Sequence, residues 1–201
     1  MVEEIGIVLL PDDVTNIMAI ELSQELAYLA VDPPLLLTRQ EPEPAFPHLS
    51  LFQVRIDAER VTTLANGLRR LARGRGAFEV RLEKVQANGR FVFWLARLDL
   101  HLEALHRAVV EIAAPMRAAD CPHIKPFSDE ERRVWARVGH RNALSCYRPH
   151  IALSFLRPDA DVPDLQRGRV HPQHFEARSV ALVHLGPFAT AVELIETFPL
   201  V

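Results

Sequence analysis

Hydrophobic positions along the chain switch between strand-like and helix-like spacing, and that switching outlines the fold. Ile5–Leu10 (IGIVLL) is a short apolar run closed by Pro11, Asp12 and Asp13, the pattern of a buried strand leading into a helix N-terminus. From Asp13 to Ala30, the residues Val14, Ile17, Met18, Ile20, Leu22, Leu26 and Leu29 recur at helical spacing, and Pro33 and Pro34 end the run. The stretch from Glu41 to Pro47 (EPEPAFP) is extended, because each X-Pro step disfavours helix. His48–Ile56 alternates like a strand. A second amphipathic helix then runs from Asp57 to Ala72, with Val61, Leu64, Leu68 and Leu71 on one face and Gly74 and Gly76 where it stops.

The second half continues in kind. Phe78–Val85 and Arg90–Leu98 read as a hairpin about the turn signal Asn88-Gly89. A helix spans Leu100 to Ala119, and another starts near Ser128, where Asp129, Glu130 and Glu131 suit a helix N-terminus. Arg148–Phe155 is strand-like again. After a polar loop from Arg157 to Arg169, Phe175–Leu185 and Ala191–Phe198 form a final strand pair. The order β-α-β-α-β-β-α-α-β-β-β is mixed α+β, not the strict alternation of a doubly wound parallel sheet. No composition break marks a linker, so residues 1–201 are expected to form one domain with two similar lobes.

Composition narrows the function classes. The 201 residues are 49% apolar with a net charge of −3, which argues against a protein that coats duplex nucleic acid through a basic face. A small phosphate ligand is still allowed. All but Lys84 and Lys125 of the 23 Lys and Arg residues are arginine. Arginine suits phosphate, but abundant Ala, Leu, Val and Pro make a GC-rich genome the simpler explanation. Cys121 and Cys146 are too few for a disulfide framework, and no CxxC or Cys/His cluster surrounds them. With an acidic N-terminus and no apolar run of membrane-spanning length, a soluble cytoplasmic protein is expected.

One internal repeat carries chemistry. Pro47-His48-Leu49-Ser50-Leu51-Phe52 recurs as Pro149-His150-Ile151-Ala152-Leu153-Ser154-Phe155, so each half contributes one Pro-His strand. Strand parity puts His48, Ser50 and Phe52 on one face, and His150, Ala152 and Ser154 on one face of the other strand. Two imidazoles on facing strands can share the acid and base roles of phosphodiester cleavage, because imidazole titrates near working pH. A hydroxyl two residues along, about 6.7 Å away on the same face, can donate to a phosphate oxygen.

These paired motifs resemble the H-x-[ST]-apolar signatures of the two-histidine phosphoesterase superfamily, which includes the 2′–5′ RNA ligase family and 2′,3′-cyclic nucleotide phosphodiesterases. The resemblance implies an α+β fold of two pseudo-symmetric lobes of mainly antiparallel sheet, with flanking helices around a central groove. It implies phosphodiester hydrolysis, or reversible ligation, on 2′,3′-cyclic phosphate or 2′–5′-linked nucleotide or RNA ends, without metal or other cofactor. His48 and His150 match the catalytic positions. Ser50 matches the first phosphate-binding position, but Ala152 stands where the second motif carries Ser or Thr. Ser154, two positions on, and Arg148, two before His150, are the substitute phosphate-binding candidates. Phe46 and Phe52 flank His48 and are candidates for stacking a base. The expected partner is a nucleotide or RNA end, met by a monomer that binds neither membrane nor metal. The missing hydroxyl at Ala152 keeps a second reading open, a nucleotide- or RNA-binding module with weakened turnover.

The other histidines form no constellation in the sequence. Pro122-His123-Ile124-Lys125 imitates the motif, but Pro126 breaks its alternation. His171 and His174 have loose ligand spacing without acidic or thiol company, and His101, His106, His140 and His184 stand apart. The arginines Arg69, Arg70, Arg73 and Arg75 most simply complement a helix C-terminus.

Overall fold

The structure is a computed structural model that describes residues 1–31, 37–38, 45–119, 128–160 and 173–201. Cys121, the Pro122–Pro126 segment, His171 and most of the Glu41–Pro47 approach lie outside the described residues. The elements are β1 (Val2–Leu9), α1 (Asp13–Glu25), β2 (Leu49–Asp57), α2 (Val61–Ala72), β3 (Phe78–Asn88), β4 (Phe91–Ala96), α3 (Leu100–Ala113), α4 (Asp129–Val138), β5 (His150–Phe155), β6 (Gln173–Ala177), β7 (Ser179–Leu185) and β8 (Ala191–Pro199).

Local chemistry accounts for most boundaries. The Asp12 carboxylate accepts a hydrogen bond from the Thr15 amide at 2.8 Å and starts α1. Asp99 does the same for α3 through the Leu102 amide at 2.9 Å. Ser128 and Glu131 form a reciprocal capping box on α4, which ends at Gly139 in the left-handed conformation (φ 77°). Gly89, at φ 59°, makes the β3–β4 turn that Asn88-Gly89 predicts.

The strands form one eight-stranded antiparallel sheet in the order β6-β3-β4-β5-β2-β1-β7-β8, curled into a half-barrel. Four strands from each half meet at β5 and β2, the two strands that carry the Pro-His motifs. One sheet face packs against the helices around a core that includes Ile5, Ile7, Leu9, Leu49, Ile56, Leu68, Trp94, Leu105, Ile151 and Phe175. The other face lines the concave side. There Val8, Ala181, Val183 and Ala191 form a smaller apolar cluster with Leu10, Phe46 and Leu185 against it.

One predicted strand is two. Phe175–Leu185 breaks at Arg178, because the chain crosses between sheet halves there. β6 adds to the β3 edge through Phe78–Ala177 and its neighbours, whereas β7 runs between β1 and β8. None of the helices among the described residues is long and apolar enough to cross a membrane.

Candidate active site

β2 and β5 are joined in antiparallel register at Leu49 and Ile151, both fully buried on the core face. Opposite residues of an antiparallel pair point to the same side, so one step either way sets Ser50 opposite His150 and His48 opposite Ala152. All four therefore share the concave face. His48 and His150 are diagonal neighbours there, a relation that places Cα atoms about 7–8 Å apart. The Leu49–Ile151 pair lies on the pseudo-two-fold axis that exchanges the two motifs.

The two histidines are held alike. His48 Nδ1 lies 2.9 Å from the carbonyl oxygen of Phe46, and His150 Nδ1 lies 2.7 Å from that of Arg148. A carbonyl only accepts, so each Nδ1 carries the proton and each Nε2 is left to exchange one with a ligand. Burial holds both below the ordinary imidazole value of 6.5, partly offset by these carbonyl bonds. His48 is buried, His150 is half-buried, and the charge of a protonated His150 lowers His48 further.

The residues beyond Leu51 and Leu153 depart from simple alternation. β2 carries a bulge where Val8 pairs with Ser50 but Ile7 pairs with Phe52, and β5 carries one where Phe93 pairs with Ala152 but Val92 pairs with Ser154. Leu51 and Leu153 are the extra residues, and both are buried. After each bulge the side-chain sense reverses. Phe52 turns into the core (2% exposed), against the expectation that it stacks a base, and its ring lies 5.7 Å from that of His140. Ser154 turns into the core at 1% exposure, with no hydrogen-bond partner for Oγ among the described residues. The shared face expected for His150 and Ser154 is thus corrected by the bulge. The residues delivered to the concave face instead are Gln53 and Phe155.

Gln53 builds a polar chain behind Ser50. Its Nε2 donates to Ser50 Oγ at 3.3 Å, and its Oε1 lies 3.2 Å from His140 Nε2. The Asn142 amide donates to His140 Nδ1 at 3.2 Å, so Nε2 carries the His140 proton and donates to Gln53. Burial keeps that imidazole neutral, with its pKa at about 4. Because Ser50 Oγ accepts from Gln53, its own proton is free to point toward the groove. The Tyr147 hydroxyl donates to the Ser50 carbonyl at 3.0 Å. His106, whose pKa burial also lowers to about 4, donates from Nδ1 to the Leu51 carbonyl in the bulge at 2.6 Å and accepts the Leu144 amide at 2.8 Å. Its ring lies flat on Tyr147, with centroids 3.7 Å apart.

The surroundings of His150 are aromatic. Phe93 lies 4.0 Å from its ring, and Phe91, Phe155 and Phe188 continue from there. Arg148 is exposed beside it. Phe46 is half-buried and lines, with Leu10, Asn16, Pro47, Val183 and Leu194, a cleft of about 190 Å³ next to His48. Of the sequence-derived candidates, His48, Ser50 and His150 come together on one face, Phe46 and Arg148 border them, and Phe52 and Ser154 do not join them.

Among the described residues no group of three His, Cys, Asp or Glu side chains is placed to hold a metal ion. His106, His140, Gln53 and the phenylalanines of β4 were not singled out by the motifs. A signal exists for two of these groups. His106 falls on the apolar stripe Leu102, Leu105, Val109 of α3, and Phe91–Ala96 is apolar on both faces.

No family model matches the sequence, and no curated protein matches it either. Solved structures do match over nearly the whole chain. TT0787 of Thermus thermophilus superposes with a TM-score of 0.61 at 18% identity, over 98% of this chain and 97% of that one. Escherichia coli LigT complexed with NADP+ gives 0.57 at 13% identity, over 100% and 99%. The PDE domain of MHV ns2 gives 0.52 at 14% identity, over 92% and 100%. With two pseudo-symmetric half-sheets and a Pro-His strand from each at the junction, the chain has the fold of the two-histidine phosphoesterases.

Proposed function

We propose that the protein hydrolyses, or in reverse forms, a phosphodiester at a nucleotide or RNA end, with 2′,3′-cyclic phosphate or a 2′–5′ linkage as substrate and His48 and His150 as base and acid. The observation that carries this reading is the matched pair of imidazoles, each with Nδ1 committed to a carbonyl two residues upstream and Nε2 without a hydrogen-bond partner among the described residues. In hydrolysis, a water oxygen bonds to phosphorus while its proton passes to neutral His48 Nε2. The bond from phosphorus to one ribose oxygen breaks, and that oxygen takes the proton from His150 Nε2. Proton exchange with solvent then resets the pair.

Ser50 donates to a non-bridging oxygen, where charge is greatest in the transition state. Arg148 supplies a cation at the His150 end, and Phe46 offers a surface for the base on the His48 side. The nucleotides captured in LigT structures, among them 3′-AMP, ATP and NADP+, support a ligand of this class.

The direct test is turnover of 2′,3′-cyclic nucleotides and 2′–5′ oligonucleotides in the presence of chelator. Product from the parent protein, lost in His48→Ala and in His150→Ala, is the expected result. Absence of turnover at excess enzyme, together with ligand affinity that survives both substitutions, would favour the binding-module reading that Ala152 keeps open. Activity abolished by EDTA and restored by a divalent ion would move the chemistry to a metal-bound water.

A further inference from the structure

The concave face of β4 and β5 carries more aromatic surface than one phosphate and one base require. β4 alternates strictly. Val92, Trp94 and Ala96 are buried in the core, while Phe91, Phe93 and Leu95 face the groove and are partly exposed. The bulge at Leu153 turns Phe155 to the same side, opposite Phe91. From His150 the rings follow one another: Phe93 at 4.0 Å, Phe91 a further 5.6 Å on and parallel to it within 7°, Phe155 at 4.6 Å from Phe91, and Phe188 at 4.6 Å from Phe155. The Arg90 guanidinium lies over Phe155 at 4.3 Å from its centroid, fixed by a 2.7 Å bond from Nε to the Leu156 carbonyl.

Phe188 comes from outside this half of the sheet. It sits in the turn between β7 and β8, and the curl of the sheet brings it across to β5. It is 47% exposed and held in the left-handed conformation at φ 56°, which a bulky residue adopts only under constraint. About half of its surface stays open to solvent, while Phe155 packs against the ring. Ala152 fits the same picture. It pairs with Phe93 where the motif otherwise has Ser or Thr, leaving this side of the groove without that hydroxyl.

We infer that the strip from Phe93 through Phe91 and Phe155 to Phe188, with Arg90 at its margin, is a stacking track for consecutive bases of a single-stranded oligonucleotide whose reacting phosphate lies between the histidines. The inference deepens the proposed function and rests on it for the position of the phosphate. Single-stranded nucleic acid is the occupant that suits the chemistry. The strip is continuous with the His150 ring, its surface is aromatic rather than aliphatic, and the Arg90 guanidinium lies over Phe155 at its margin, with the exposed Arg148 and Arg157 two residues before His150 and two after Phe155 in the chain. From Leu95, opposite His150, to Phe91 it follows β4 over about 14 Å, more than one nucleotide's base can cover. A duplex, whose bases are already stacked, has no faces to offer it.

The test compares kcat/KM for a mononucleotide 2′,3′-cyclic phosphate with single-stranded RNAs of two to six nucleotides ending in the same group. In parallel, fluorescence anisotropy follows a labelled RNA that lacks the cyclic phosphate. The expected result is a gain of roughly tenfold or more with length, from base–aromatic stacking. That gain should shrink several-fold in Phe188→Asn, chosen because Asn tolerates positive φ, and in Phe91→Leu. Binding of the unreactive RNA should weaken in both and resist competition by duplex RNA. Catalysis that is independent of length, with anisotropy indifferent to Phe188 and Phe91, overturns the track and leaves the proposed function standing. RNA binding that depends on these residues without any turnover keeps the track and removes the proposed function.

Discussion

The two motif strands share a backbone and differ in what surrounds it. In β2 and β5 the histidine, the apolar core residue two-fold related to its partner, the bulge at the fifth motif position (Leu51 or Leu153) and the Nδ1 bond to the carbonyl two residues upstream are all matched. Around β2 the environment is a hydrogen-bonded chain, His140 to Gln53 to Ser50, with Tyr147 and His106 securing the Ser50 and Leu51 carbonyls. Around β5 it is aromatic, and Ala152 replaces the hydroxyl. The comparison teaches that symmetry of the main chain brings two imidazoles to one face in the same way, whereas the side chains around them differ. On the proposed function, the β2 side would donate to a phosphate oxygen and the β5 side would hold bases.

The largest effect should separate the histidines themselves. His48→Ala and His150→Ala should each lower kcat by about 100- to 10,000-fold on a cyclic phosphate, the range of a lost general base or acid. On a p-nitrophenyl phosphodiester, whose leaving group needs no proton, His150→Ala should recover most of its loss and His48→Ala should not. Equal losses on both substrates would show that the deeper burial of His48 does not divide the roles.

Ser50→Ala should cost about 100- to 1,000-fold in kcat, as for removal of a preorganised donor. Its counterpart Ala152→Thr should change kcat far less, because the β5 side lacks the polar chain that aims a hydroxyl. A rise in Ala152→Thr as large as the fall in Ser50→Ala would mean that the two sides are chemically interchangeable. The smallest effect is expected at Ser154. Its buried hydroxyl, without a partner among the described residues, makes Ser154→Ala neutral to stabilising by about 1 kcal/mol in denaturant unfolding, with kcat and KM unchanged. A drop in kcat/KM without a drop in stability would return Ser154 to the phosphate site.

Much of this was legible in the sequence because it rests on local patterns. Apolar periodicity and caps gave the element order but for one strand, and the repeated Pro-His motif marked the two strands that face each other. Parity held for His48 to Ser50 and for His150 to Ala152. It failed at the next step because a bulge is a property of strand pairing. Leucine suits either sense of a bulged strand, so Leu51 and Leu153 gave no sign that Phe52 and Ser154 turn inward. The Gln53–His140 and His106–Leu51 bonds join residues 87 and 55 positions apart, beyond the reach of any local pattern. The break at Arg178 was hidden for a similar reason: only the pairing partners show that the chain changes sheet halves there.

The pH dependence of kcat/KM on a 2′,3′-cyclic nucleotide, measured in chelator, tests the central claim most directly. At low pH both imidazoles are protonated and the base is lost. At high pH both are neutral and the acid is lost, so the profile is a bell with two apparent values belonging to the pair. Burial lowers both groups from 6.5, so the account predicts a bell whose centre lies on the acid side of pH 6.5. A rate that rises to a plateau with no basic limb, or a maximum well above neutrality, would contradict it.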